Sequence, residues 1–171
     1  LIALNMFKII LAILLYFIMD YFYPIIAGQT LQSSNTYTVV SPYNGEPVAV
    51  VSLAARETAE IAARKTLSAF KITRSLPAYR RSEILGSIAK KLEESQNELA
   101  RIIATEAGKP IRDAKREVDR AIFTFQYAAE ETRRVGGEII PIDQTPAFEG
   151  YKSLCTRVPR GPCLFITPFN F

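Results

Sequence analysis

Histidine does not occur anywhere in the 171 residues, and cysteine occurs only twice. Without histidine, a histidine-dependent catalytic triad and a His-ligated metal site are both excluded within these residues. Cys155 and Cys163 flank a Pro-Arg-Gly-Pro turn, too far apart for a CxxC redox or zinc motif. Across a hairpin they could approach each other, but two ordinary buried thiols are the expected reading. No N-x-S/T sequon occurs, so nothing speaks for secretion, and a cytoplasmic location is expected. Charge of one sign is also scarce. The formal net charge is only +4, and pairs such as Arg80-Arg81 and Lys90-Lys91 alternate with carboxylates as on a solvated helix face. A basic block with interleaved aromatics is missing, so no nucleic-acid partner is expected.

Long hydrophobic runs are nearly absent too, with one exception at the start. In "MFKIILAILLYFIMDYFYPIIAG" (6–28) the uninterrupted apolar core, Ile9 to Met19, is shorter than the roughly 20 residues a helix needs to cross a bilayer. Asp20 and Pro24 interrupt any extension. Lys8 ahead of the run suits a signal peptide or weak anchor, yet no small-x-small cleavage site follows. The opening Leu1, with Met6 the first methionine, leads us to expect a sequence that is partial or translated from upstream of its start. Residues 1–27 are therefore set apart as an apolar segment, which is an anchor, an artefact of gene prediction or an ordinary apolar N-terminal strand, and 28–171 as the domain. Membrane association through 6–27 stays open.

From residue 35 the texture becomes that of a globular protein, with 49% hydrophobic and 22% charged residues overall. "TYTVVSPYNGEPVAVVSLA" holds two β-rich runs, Thr36–Ser41 and Pro47–Leu53, around Asn44-Gly45, which predicts a β-hairpin. A first helix is expected from about Arg56 to Phe70, with Ala59, Ala63, Leu67 and Phe70 as its apolar stripe. After Leu76-Pro77, Leu85, Ile88 and Leu92 line a second helix. Ser95 with Glu98 reads as a capping box, so a break and restart is expected there, followed by Leu99, Ile102 and Ile103. In "EAGKP", Gly108 suits the left-handed position after a helix and Pro110 the first turn of the next. Lys109 is read as structural. A third long helix over roughly 110–133 buries Val118, Ala121, Ile122, Phe125 and Ala129 and stops at Gly136-Gly137. "YKSLCTRVPRGPCLFIT" then reads as two strands joined at Pro159–Pro162. The second of them, Cys163–Thr167, is apolar on both faces and needs a sheet around it.

Three stretches in this order, "SPYNGEPVAVV", "YRRSEILGSIAKKLEESQNELARIIATEAGKP" and "REVDRAIFTFQYAAE", closing on "VPRGPCLFITPFNF", resemble the N-terminal part of the NAD(P)-dependent aldehyde dehydrogenase superfamily. The resemblance covers approximately 35–171. It implies an α/β fold: a β-hairpin, three long helices, then arm strands and the first strand of the nucleotide-binding sheet, cut short where the active site begins. The Thr-Pro-Phe-Asn version resembles members acting on small hydroxy- or phospho-aldehydes, including lactaldehyde and glyceraldehyde-3-phosphate dehydrogenases.

The resemblance also implies roles. Asn170 would be an oxyanion-hole donor, a neutral amide aimed at the oxygen that turns negative when a cysteine thiolate attacks an aldehyde. Ile166, Thr167, Pro168 and Phe169 would line the cofactor cleft for NAD or NADP. Residues 151–162 would form an arm that adds strands to a neighbouring subunit in a homo-oligomer. Neither cysteine would be the nucleophile, since both precede the asparagine motif. A GxGxxG turn, the general base in a Glu-Leu-Gly-Gly setting and a Gly-Gln-x-Cys setting are all missing. The expectation is thus a fragment of an enzyme oxidising aldehyde to acid through a thioester, inactive alone. The rival reading is a non-catalytic, membrane-tethered helical module that assembles with a full-length homologue.

Overall fold

A computed structural model describes residues 19–167. Among them the chain divides into two units, one formed by 19–67 and 101–114, the other by 68–100 and 115–167. The order is the expected α/β one of early strands, helices, then later strands.

The first unit is built on a three-stranded sheet. Its central strand is β5 (Pro47–Ser52), paired antiparallel with β4 (Thr36–Val40) and parallel with β1 (Asp20–Phe22). Being flanked on both sides, β5 carries two of the unit's buried apolar residues, Ala49 and Val50. Its proline stands at the first position, where a missing N–H costs the ladder nothing. A register shift between Val39 and Val40 makes room for Val48 as an extra residue. The Asn-Gly signal does produce a hairpin, but with a six-residue loop instead of a two-residue turn. Only Gly45 takes positive φ (72°). Its N–H donates to Ser41 O at 2.8 Å, and the Asn44 amide donates to Glu46 Oε2 at 2.6 Å.

A tight two-residue turn does occur earlier, between β2 (Ile25–Ile26) and β3 (Gln29–Thr30), where Ala27 and Gly28 sit at φ 52° and 78°. The expected boundary at 27/28 therefore falls inside a hairpin, and Asp20–Phe22 of the apolar segment is a strand of the sheet. Among the described residues, no helix is long and apolar enough to cross a membrane. The part of the 6–27 segment before residue 19 lies outside the described residues.

Four helices follow: α1 (Arg56–Thr73), α2 (Ala78–Glu94), α3 (Gln96–Ala107) and α4 (Ile111–Glu131). The expected break comes at Ser95, which ends α2 with its N–H on Lys91 O and starts α3 by accepting from the Leu99 N–H at 2.9 Å. Gly108 takes φ 64°, and Pro110 precedes α4, whose Asp113 and Ala114 N–H groups bond back to its carbonyl. In α4, Val118, Ile122 and Ala129 are buried, and in α2 the half-buried Leu85, Ile88 and Leu92 flank buried Ala89. The stripe expected on α1 is corrected. Ala59, Ala63 and Leu67 are exposed and α1 buries no residue; its half-covered line in the first unit is Thr58 and Ala62.

In the second unit, the expected hairpin across Pro159–Pro162 does not form. β7 (Lys152–Cys155) pairs instead with β6 (Glu138–Pro141), through a 3-10 turn at Pro146–Phe148. Two prolines remove ladder donors from the 159–162 turn, whereas β6 offers a continuous partner. Residues 163–167 have no ladder partner among the described residues, and Leu164, Phe165 and Ile166 are 80–86% exposed. A doubly apolar strand pairs only when other strands flank it.

Candidate active-site approach

The residues singled out by sequence lie at the end of the 156–167 segment. Ile166 and Thr167 are both solvent-exposed. Pro168, Phe169 and Asn170 lie outside the described residues. Cys155 and Cys163 are free and exposed, which corrects the expectation of buried thiols. The cause is that β6–β7 is an uncovered ribbon, all of β6 being exposed. The Cys163 thiol points back to Gly161 O at 3.6 Å.

The segment follows β7, whose partner β6 starts shortly after the end of α4. There the helix ends at Glu131, earlier than the expected stop at Gly136-Gly137, and Gly137 meets β7 so closely that an added Cβ would lie 3.0 Å from the Cys155 carbonyl carbon. Arg134 clamps the last turn of α4, donating to Glu131 Oε1 at 2.7 Å and to Glu130 Oε2 at 3.3 Å. The hydrogen bond to Glu131 and the field of both carboxylates push the guanidinium above its ordinary value. A raised cationic pKa means that whatever the cluster contributes through Arg134 is present at every pH below the arginine range. Beside it lies an open cleft of ≈ 700 Å³ lined by Glu131, Arg134, Gly137, Cys155 and Arg157.

A second cleft, of ≈ 650 Å³, is lined by the end of α1, the start of α2, the end of α4 and the 157–163 turn. Its arginines, Arg74, Arg81, Arg157 and Arg160, were not singled out from sequence. They are scattered over 87 positions, and no short motif could bring them together. Among the described residues no group of three His, Cys, Asp or Glu side chains could hold a metal ion. Lys109 is half-buried at the α3–α4 junction and already engaged, in keeping with a structural role.

The "Aldehyde dehydrogenase family" sequence model matches residues 30–171. A 3-sulfolactaldehyde dehydrogenase of Priestia aryabhattai is 36% identical over 143 residues, which are 84% of this chain and 30% of that protein. Among solved structures, aldehyde dehydrogenase 21 of Physcomitrella patens, in complex with the reaction product succinate, superposes with a TM-score of 0.76 at 29% identity. That match covers 80% of this chain and 28% of the other. A betaine aldehyde dehydrogenase variant of Staphylococcus aureus in complex with NAD+ gives 0.67 at 29% identity, covering 72% and 26%. The chain thus spans about 30% of the length of the first of these relatives.

Proposed function

The chain belongs to the aldehyde dehydrogenase family, and from that premise we propose that it supplies the N-terminal part of an NAD(P)-dependent enzyme oxidising a small aldehyde to its acid. The observation carrying this reading is the family match, which runs from residue 30 through Phe171 and so takes in the Pro168-Phe169-Asn170-Phe171 motif. A 3-sulfolactaldehyde dehydrogenase among the similar proteins supports a short, hydroxylated aldehyde as the substrate class.

In the reaction a thiolate adds to the aldehyde carbon and the carbonyl oxygen becomes an alkoxide. Asn170 donates its amide N–H to that oxygen, a neutral donor that gains strength as charge builds up. Loss of hydride from the adduct carbon then leaves a thioester, and water releases the acid and regenerates the thiol. NAD or NADP supplies the hydride acceptor. Exposed Ile166 and Thr167 offer it an apolar face and a hydroxyl, which suits a ring and a ribose; the family resemblance assigns Pro168 and Phe169 to the same cofactor contact. The β6–β7 ribbon with residues 151–162 serves as an arm between subunits, since a two-stranded ribbon is marginal until further strands or packing cover it.

The 171 residues alone are not expected to turn over aldehyde, because both cysteines precede the Asn170 motif and no Glu-Leu-Gly-Gly sequence is present. The test is a graft. Residues 20–171 replace the matching part of the Priestia relative, and aldehyde-dependent NAD(P)H formation is followed at 340 nm. The reading expects the graft to be active and the isolated chain inactive. A graft that folds and binds NAD(P) but never reduces it would contradict it.

A further inference from the structure

We propose that the cleft beneath the 157–163 turn is a binding site for an amphipathic anion, a carboxylate or phosphate carried on an apolar stem, separate from the aldehyde chemistry. Its wall is apolar, with Phe70, Leu85, Ala128, Val135 and Val158 contributed by three helices or their ends and by the turn. Its rim is cationic. Arg74, Arg81, Arg157 and Arg160 face a single carboxylate, Glu131, and Glu131 is already taken by Arg134 at 2.7 Å.

The four arginines are not accounted for by the fold. Arg74 lies over the Phe70 ring, 5.7 Å from its centre, and Arg81 donates to Leu76 O at 2.6 Å. Each contact leaves the positive charge without a carboxylate. Arg157 and Arg160 make no hydrogen bond or ion pair among the described residues. The N-terminus of α2 has Pro77 as its N-cap, with no side-chain cap bond and no acidic residue in its first turn. Arg81 thus lies one turn inside a helix start that has no acidic neighbour. Like charges gathered around an apolar floor repel one another in the empty state, and one anionic head relieves them together. The ≈ 650 Å³ of space lies within the range of small-molecule sites. It suits a stem of medium length, not a bare ion.

The experiment uses the full 171-residue chain and isothermal calorimetry with decanoate, decyl phosphate, decanol and inorganic phosphate. Decanoate or decyl phosphate is expected to bind at least tenfold more tightly than decanol and than inorganic phosphate, and the preference between the two anions identifies the head group. Arg157→Gln with Arg160→Gln, both exposed and without a hydrogen bond or ion pair among the described residues, is expected to weaken the anions tenfold or more and leave decanol unchanged. Equal binding of decanoate and decanol, or anion binding that survives the double substitution, overturns the proposal.

Discussion

Gly108, at φ 64°, lies so close to Pro42 that a Cβ built on it would stand 2.7 Å from the proline Cγ. The junction between α3 and α4 is thus seated on the loop of the β4–β5 hairpin. Two separate demands fall on the one glycine, a left-handed backbone and a missing side chain. Gly108→Ala is expected to destabilise the chain by about 1–3 kcal/mol, read as a fall in the urea midpoint. Adding Pro42→Ala should recover the crowding part but not the backbone part. Full recovery would mean that φ at 108 relaxes freely.

Gly137 is constrained by backbone alone. A methyl group there would overlap the Cys155 carbonyl, which cannot rotate aside as a side chain can. Gly137→Ala should therefore unpair the β6–β7 ribbon at its Glu138–Cys155 end. Hydrogen exchange at Ile139, Ile140 and Lys152 to Cys155 should accelerate while β5 keeps its protection. Unchanged exchange in the ribbon would show that the two strands are held from their other end.

Ala27 is the one non-glycine residue at positive φ among the described residues. An L-residue in that region costs about 1–2 kcal/mol, a strain glycine escapes. Ala27→Gly is expected to raise the melting temperature in spite of glycine's greater freedom in the unfolded chain. A lower melting temperature would mean that the β2–β3 turn is not held in this conformation.

What the residues announced, and what they hid, follows from the range of the forces involved. The break at Ser95, the Gly108 cap and the Val118–Ile122–Ala129 face all depend on neighbours a few positions away, and all were legible. The partner of β7 was not. Strand pairing is chosen among distant segments, and the Pro159–Pro162 turn gave a local hairpin signal that the two missing N–H groups defeat. The α1 stripe misled for a related reason. Alanines at i, i+4 mark a face able to pack, but whether a neighbour covers it is a long-range matter. Asp20–Phe22 belongs to an apolar run that the residues alone leave open between anchor, artefact and strand, until β5 is seen to accept it as a strand. The role given to Asn170 rests on the resemblance to a family, not on any local periodicity.

The most direct measurement of the central claim is the single-turnover rate of NAD(P)H formation in the grafted enzyme, with Asn170 intact and with Asn170→Ala. If Asn170 holds the developing oxyanion, the rate should fall by about 10²–10³-fold, with cofactor affinity little changed. An Asn170→Ala enzyme that reduces NAD(P) as fast as its parent would contradict the account and leave that asparagine a turn residue after a proline.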